Sequence, residues 1–397
     1  MVVFTYNWVM LFNFSKILRL LVILVFFSHI NFCDAINIFS DPNDQNNSFK
    51  IAVVGSLTSN YATYGKQLLF ATNQAINDLK QQDFMQVIPF DDQCNPDLAK
   101  SIAIKISKDP QIKAVIGHTC SAATIAASPI YAKRGILHII PSPTNPKITE
   151  SHINTLFRMS GRDDIQAQYI SHFLAKKFKD QKIAILHSQD PYSKELAEYV
   201  QEYLAILKVS PTLYQSVAIN DFNNYSKIKM IIKKLEKLKI DVIFFSGLYR
   251  ETANIIKTMH FSKINITIIV ADSTATLGFI ETLGTPKIAV GTMMSFQKLD
   301  LTNPLISDLK ITGQALFGYA AIQVIYEAVK NNIEANASNH SLNGRILSNW
   351  LHNNKVQTIL GEKSWDTNGD ITDSDFNMYI WDENGKYWPF SYQHAKD

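Results

Sequence analysis

Two patterns of apolar positions alternate along the chain. Short continuous apolar runs, such as residues 51–54, are typical of strands that are buried on both faces of a sheet. Longer stretches, such as residues 67–79, carry apolar residues at the spacing of an amphipathic helix. Strands that alternate with helices in this way predict an α/β fold, in which helices cover both faces of a mostly parallel sheet.

The strand–helix pattern occurs twice in succession. Its first occurrence predicts strands at 51–54, 87–90, 114–116 and 136–140, with helices at 67–79, 98–106 and 121–134. Its second occurrence predicts strands at 183–186, 214–219, 242–245 and 266–270, with helices at 165–178, 194–207, 225–238 and 251–260. Two further helices, at 314–329 and 342–352, and a hairpin at 377–388 are predicted to follow. Two such units indicate two similar lobes with a cleft between them.

The first 35 residues differ from the rest of the chain. Lys16 and Arg19 are their only charges before Phe32, and a short apolar run at 20–27 is followed by the small residue Ala35. This order is typical of a secretory signal, and the run is too short to cross about 30 Å of hydrocarbon as a helix. We therefore predict a signal peptide over 1–35 and a flexible lead-in over 36–48. An uncleaved membrane anchor is the alternative.

Composition agrees with a folded, exported protein. The chain has 397 residues, of which 46% are apolar and 18% charged, which is enough for two cores and too few charges for a disordered chain. The net charge is only +3. The densest basic stretch, 227–239, alternates Lys with Ile and Leu, as the solvated face of an amphipathic helix does. We therefore predict no nucleic-acid partner.

Cysteine usage also fits export. Removal of residues 1–35 would take away Cys33 and leave Cys94 with Cys120, an even pair in an oxidising compartment. A disulfide between these two residues is the expected state. Two buried free thiols are the alternative.

Polar side chains follow several of the predicted strands, where open parallel sheets collect their ligands. Ser121 begins a predicted helix, so its hydroxyl and the free backbone N–H groups there suit a carboxylate. Asp272, in the second unit, suits an ammonium group, and Tyr64 with Tyr192 can enclose an apolar side chain. Ser and Asp after strands also cap helices in many α/β proteins, and this is the alternative role.

Enzyme motifs are absent from the sequence. It contains no phosphate-binding G-x-x-x-x-G-K-[ST] loop, no G-x-G-x-x-G after the first strand, no G-x-S-x-G elbow and no H-E-x-x-H pair. We therefore predict no catalytic residue, no metal site and no cofactor. An esterase or amidase that uses Ser121 with His118 is the enzyme alternative.

Motifs along residues 49–390 carry a family resemblance. They are, in chain order, Lys50-Ile51-Ala52-Val53-Val54-Gly55, Tyr64-Gly65, Asp91-Asp92-Gln93-Cys94-Asn95-Pro96, Val115-Ile116-Gly117-His118-Thr119-Cys120-Ser121, Ile140-Pro141-Ser142-Pro143-Thr144, Phe157-Arg158 and Trp365-Asp366-Thr367-Asn368-Gly369-Asp370. In this order and spacing they resemble the type I periplasmic binding proteins, and among them the branched-chain amino-acid-binding proteins of ABC transporters.

This resemblance implies a fold of two doubly wound parallel-sheet lobes joined by a three-strand hinge. The expected lobes are 49–162 with 296–370, and 163–295 with 371–393. The implied function is to capture an amino acid, branched-chain or similar, by lobe closure in the periplasm and to deliver it to an ABC permease. Contact with the membrane is expected only through that transporter. A sensory or regulatory module for amino acids or amides, without a transport role, is the alternative.

Single residues acquire roles from the same resemblance. The implied ligand-binding residues are Tyr64, Ser121, Ser142, Thr144, Tyr192 and Asp272, and the implied disulfide joins Cys94 and Cys120. The chain also departs from the family pattern at three positions. Leu248 stands where Tyr is common, Ser142 where a small apolar residue is common, and Asp272 is one methylene shorter than Glu. The preferred ligand side chain is therefore left open.

Overall fold

The computed structural model describes residues 48–300, 306, 313–336 and 342–393. The chain comprises two units, 1–48 and 49–397, and the predicted signal peptide and lead-in lie outside the described residues except for Ser48. Within the described ranges, no helix has the length and apolarity to cross a membrane.

A five-stranded parallel sheet forms the first half of the fold. Its strands are β1 (Phe49–Gly55), β2 (Met85–Asp91), β3 (Ile112–Gly117), β4 (Leu137–Ile140) and β5 (Leu156–Arg158), in the order β2-β1-β3-β4-β5. The connecting helices are α1 (Ala62–Asp78), α2 (Pro96–Ile106) and α3 (Ser121–Arg134). Strand β4 is buried at every position, because helices cover both faces of the sheet.

A seven-stranded sheet forms the second half. Its parallel strands are β6 (Ile183–Ser188), β7 (Leu213–Val217), β8 (Val242–Ser246), β9 (Thr267–Val270) and β10 (Met293–Gln297). The accompanying helices are α4 (Asp163–Lys177), α5 (Pro191–Ile206), α6 (Tyr225–Leu238), α7 (Tyr249–Phe261) and α8 (Leu277–Leu283). Apolar side chains of α4 and α5 pack against these strands in one continuous core.

The chain then returns to the first sheet and crosses back again. Helix α9 (Ala315–Asn336) packs on α1, and α10 (Gly344–Asn353) packs on β4. A small hairpin, β11 (Val356–Thr358) and β12 (Gly361–Lys363), comes next. Strands β13 (Phe376–Trp381) and β14 (Tyr387–Pro389) then complete the second sheet as antiparallel strands, before the short helix α11 (Phe390–Gln393).

The predicted fold class, two doubly wound α/β lobes, is confirmed. The residue limits predicted for the two lobes stay a prediction, although the strands are divided between two sheets. One predicted strand, 214–219, was too long, because β7 ends at Val217 and a 3-10 helix begins at Ile219. Strands β5 and β10 and helix α8 were not predicted, since each is short and carries no clear period.

Candidate functional site

One cavity of about 250 Å³ lies between the loops that follow the strands of the two sheets. The six predicted ligand-binding residues all line it: Tyr64, Ser121, Ser142, Thr144, Tyr192 and Asp272. The first sheet contributes the hydroxyl-bearing side and the second contributes the acid. The structure therefore brings these six residues together, as a cleft between two lobes requires.

The N-terminus of α3 forms one wall of the cavity. Its N-cap residue is Cys120, whose side chain makes no capping hydrogen bond because its sulfur is bonded to Cys94. The first N–H groups of α3 therefore lack a side-chain cap, and Ser121 follows the cap rather than serving as one. Unsatisfied N–H groups at a helix start attract an anion. This wall can bind a carboxylate.

The predicted disulfide between Cys94 and Cys120 is confirmed, with the two Cα atoms 5.4 Å apart. The alternative of two free thiols is wrong. The bridge fixes the loop after β2 to the start of α3, and both cysteines line the cavity. It therefore holds the proposed carboxylate-binding helix end in place.

The loop that carries Ser142 and Thr144 is held from behind by Arg158. This guanidinium is fully buried at the end of β5. Its four hydrogen bonds go to Asp370 Oδ1 at 2.8 Å, the Pro143 carbonyl at 2.7 Å, the Asn145 carbonyl at 2.9 Å and Thr149 Oγ1 at 2.8 Å. Because Arg158 engages the carbonyls on both sides of Thr144, it fixes the backbone that presents Thr144 to the cavity.

Asp272 lies on the opposite side, at the start of a 3-10 helix (Asp272–Thr274) that follows β9. Tyr192 donates its hydroxyl hydrogen to Asp272 Oδ1 at 2.5 Å, and Gln314 Nε2 lies 3.3 Å from Oδ2. Burial raises the pKa of the Asp272 carboxyl, and the hydrogen bond from Tyr192 opposes that shift. An ammonium group bound here would compensate the charge of a buried carboxylate, so Asp272 is a strong site for such a group.

Apolar groups line the remaining part of the cavity. They come from Pro191, Ile219 and Leu248 and from the disulfide. Tyr249, the residue after Leu248, points elsewhere. Its hydroxyl donates to the Asn60 carbonyl at 3.1 Å, and its ring packs edge-on against Tyr64. The side chain of Leu248 therefore lines the cavity, whereas that of Tyr249 does not.

Several cavity residues were not assigned to the site by sequence reasoning. Gln314 follows no strand, since it precedes α9 after a crossing between the sheets, and the rule that ligands collect at strand ends does not reach it. Ile219 was assigned to a strand, whereas it begins a 3-10 helix at the cavity wall. Thr119 follows β3 and could have been assigned to the site by the same rule that found Ser121.

Hydrogen bonds also join the two halves directly. On one flank, Tyr61 donates to Glu251 Oε1 at 2.7 Å, and Thr276 donates to Gln67 Oε1 at 2.6 Å. Tyr64 donates to the Ser273 carbonyl at 2.7 Å. On the other flank, Asn145 and Lys147 both reach the carboxylate of Glu195, at 2.7 and 2.9 Å. These bonds link helices and loops that follow strands of the first sheet to helices and loops that follow strands of the second, so the cleft is closed over the cavity.

The enzyme alternative, in which His118 would act as the base for Ser121, does not fit the position of His118. His118 is fully buried, with Nδ1 2.6 Å from Asp92 Oδ2 and Nε2 3.1 Å from the hydroxyl of Tyr131. Both ring nitrogens are therefore occupied, and neither can accept a proton from Ser121. In the parts of the chain that the structure describes, no group of three His, Cys, Asp or Glu side chains is placed to hold a metal ion.

The family model for periplasmic binding proteins matches residues 48–386. The chain belongs to the periplasmic binding protein family. The "Amino acid binding protein" of Pseudomonas aeruginosa is similar to this chain, with 30% identity over 357 residues. The match covers 85% of this chain and 91% of that protein. The "Leu/Ile/Val-binding protein" of Escherichia coli K12 is 27% identical over 343 residues, with 85% and 91% of the two chains covered.

Solved periplasmic binding proteins share the fold. The branched-chain amino acid transporter substrate-binding protein of Streptococcus pneumoniae, in complex with isoleucine, has a TM-score of 0.73 at 19% identity and covers 86% of this chain and 97% of its own. A solute-binding protein of R. palustris, in complex with benzoate, has a TM-score of 0.75 at 15% identity, with 86% and 95% covered. The resemblance inferred from the motifs is confirmed, and the chain is a solute-binding protein of a family that works outside the cytoplasm.

Proposed function

We propose that this periplasmic binding protein captures a free amino acid with a branched or similar apolar side chain and delivers it to an ABC permease. The observation that carries the proposal is the position of two opposite polar sites in one closed cavity. The start of α3 with Ser121 lies on one wall, and Asp272 lies on the other. A zwitterion has the two charges that these walls would bind.

The ligand's carboxylate is assigned to the first wall. Ser121 offers a hydroxyl, and the helix start offers uncapped N–H groups that carry a partial positive charge. Thr144 and the backbone of Ser142 stand beside it on the loop that Arg158 holds. Since the loop is fixed before the ligand arrives, little ordering entropy is lost on binding.

The ammonium group is assigned to Asp272. This carboxyl is 5% exposed and is oriented by Tyr192 and Gln314. A charge-assisted hydrogen bond to a buried carboxylate is about twice as strong as a neutral one. The site therefore favours amines over ligands that have a carboxylate alone.

The side chain of the ligand is assigned to the apolar part of the cavity, formed by Pro191, Ile219 and Leu248. At about 250 Å³ the whole cavity is smaller than the roughly 300–1,000 Å³ typical of sites for drug-sized molecules, which suits a single amino acid. Relatives whose names specify leucine, isoleucine and valine support an aliphatic ligand of this size.

In the proposed function, the two lobes close on the ligand and the closed protein then delivers it to the permease. A ligand that contacts both walls favours the closed form by its differential affinity for that form. The closed form would then be the one that docks on the permease. Secretion through a signal peptide over 1–35 would place this cycle in the periplasm, where the permease is accessible.

Isothermal titration calorimetry with three matched ligands tests the proposal. Leucine carries both charges, 4-methylpentanoate lacks the ammonium, and 3-methylbutylamine lacks the carboxylate. We expect leucine to bind with a dissociation constant near micromolar, about −8 kcal/mol, and each analogue to bind at least about tenfold more weakly. Equal binding of leucine and 4-methylpentanoate would contradict the ammonium assignment. Binding of none of the 20 common amino acids would contradict the proposed ligand class.

A further inference from the structure

The two segments that the disulfide joins are also joined by a buried hydrogen bond. Cys94 lies two residues after Asp92, and Cys120 lies two residues after His118. Nδ1 of His118 is 2.6 Å from Oδ2 of Asp92. An ionised carboxyl group only accepts hydrogen bonds, so Nδ1 donates this one. The turn after β2 and the segment that leads into α3 therefore have two connections, one covalent and one not.

This hydrogen bond is shielded from water. Asp92 and His118 are both fully buried, and the other ring nitrogen of His118, Nε2, lies 3.1 Å from the hydroxyl of Tyr131. Tyr131 belongs to α3 and is itself fully buried. A hydrogen bond is electrostatically stronger in such a place than in water. His118 therefore ties the turn after β2 firmly to the helix whose start, with Ser121, forms the carboxylate wall of the cavity.

Asp92 also supports the turn that carries Cys94. Its Oδ1 accepts a hydrogen bond from the N–H of Cys94 at 2.9 Å, and its carbonyl accepts one from the N–H of Asn95 at 2.8 Å. Gln93 and Cys94 have φ angles of 52° and 57°, in the left-handed region that residues other than glycine seldom adopt. The bonds to Asp92 stabilise this conformation, so the shape of the turn has a support besides the disulfide.

Neighbouring strands hold the segment that leads into α3. Nε2 of His138, on β4, donates to the carbonyl of Gly117 at 2.7 Å. The N–H of Ser56, after β1, donates to Oγ1 of Thr119 at 3.2 Å. His118 lies between these two anchored residues, so its bond to Asp92 connects the turn after β2 to a segment that is already fixed.

We propose that Asp92 and His118 are positioning residues of the carboxylate wall, and that their hydrogen bond keeps the start of α3 in its ligand-binding position when the disulfide is reduced. This inference rests on the proposed function, because it requires a ligand whose carboxylate binds at that wall. Neither residue lines the cavity, so both act through the position of Ser121 and the uncapped N–H groups. Loss of one connection leaves the other in place, and loss of both releases the wall.

Leucine and leucinamide report on the carboxylate wall separately from the rest of the site. Near pH 6 both carry an ammonium group, and both have the same side chain, but leucinamide has a neutral amide where leucine has a carboxylate. A displaced wall weakens mainly the binding of leucine, whereas a general destabilisation of the fold weakens both ligands alike. The quantity to measure, by calorimetry on the full chain, is the dissociation constant of leucinamide divided by that of leucine.

The wild type is titrated with its disulfide intact and again after reduction with a phosphine, with free thiols counted in each sample. We expect a ratio of at least about 10 in the oxidised protein and a ratio within about threefold of that value in the reduced protein. Loss of the preference for leucine on reduction would overturn the inference and leave the proposed function intact. An oxidised wild type that binds neither ligand, or both equally, would overturn the proposed carboxylate site and this inference with it.

Two variants of His118 separate its bond to Asp92 from its bond to Tyr131. An asparagine amide nitrogen lies near the place of Nδ1, so His118→Asn conserves a donor for Asp92. A glutamine amide nitrogen lies near the place of Nε2, so His118→Gln conserves only the partner of Tyr131. With the disulfide intact, both variants are expected to keep the ratio within about threefold of the wild type, and after reduction only His118→Gln should lose about tenfold or more, with the affinity for leucinamide unchanged.

Equal ratios in the two reduced variants would show that the bond to Asp92 does not position the wall, and would overturn the inference. If either variant does not fold, Asp92→Ser is compared with the reduced wild type. A serine hydroxyl can still accept from the N–H of Cys94 but is too short to reach His118. Reduced Asp92→Ser is expected to lose the preference for leucine, and a preference equal to that of the reduced wild type would overturn the inference.

Discussion

Replacing Asp272 with Asn separates ligand binding from folding. The substitution keeps the shape of the side chain and lets it still accept a hydrogen bond from Tyr192, but it removes the charge that is proposed to hold the ammonium. Asp272 is only 5% exposed, so solvent screens the lost charge weakly. Removing one partner of a buried ion pair typically costs about 3–5 kcal/mol, which corresponds to a loss of affinity of at least roughly 100-fold.

The stability of the empty protein is expected to change in the opposite direction. Burial raises the pKa of Asp272 above its value in the unfolded chain, so its contribution to stability is present at low pH and is lost as pH rises through the raised value. Asn does not titrate. At neutral pH the empty Asp272→Asn protein should therefore melt at the same temperature as the wild type or at a higher one.

Calorimetry with leucine and thermal melting of the empty protein check both expectations. Asp190→Asn is a matched control, because Asp190 also lines the cavity but accepts hydrogen bonds from Ser193 N and Ser188 Oγ as the cap of α5. Its loss should weaken leucine binding by less than tenfold. Affinity in Asp272→Asn within threefold of the wild type would refute the assignment of the ammonium group.

The remaining predictions concern the scaffold and the closed form. Replacing Cys94 and Cys120 together with Ser should lower the free energy of unfolding by about 3–4 kcal/mol, the loop-entropy estimate for a separation of 26 residues, in a denaturant titration. Arg158→Lys should destabilise the fold by at least about 2 kcal/mol and weaken leucine binding, because an ammonium cannot reach the separate acceptors that a guanidinium spans. Tyr61→Phe removes a bond to Glu251 across the cleft and should weaken leucine binding by roughly 5- to 150-fold through the closed state, with unchanged melting of the empty protein.

The sequence predicts the parts of the site that follow regular elements. Ser121 is found because an Ala-rich helix begins there after a buried strand, and Asp272 because it ends an apolar run. Asp163, the first residue of α4, does not follow such a pattern. Two acidic residues at the start of a helix are typical of an exposed first turn, whereas Asp163 is fully buried.

Contacts across the cleft lie beyond sequence patterns for a similar reason. The bonds between Tyr61 and Glu251 and between Asn145 and Glu195 join residues far apart in the chain, and no period links them. The six residues implied by the family resemblance all line one cavity, but the resemblance gave no role to Gln314, which also lines it. Such positions depend on how the two sheets meet.

A crystal structure of the protein grown with leucine tests the central claim most directly. We expect one leucine inside the cavity between the two sheets. Its carboxylate should lie about 3 Å from Ser121 and the start of α3, and its ammonium about 3 Å from Asp272. Leucine bound in the reverse orientation, or outside this cavity, would contradict the account.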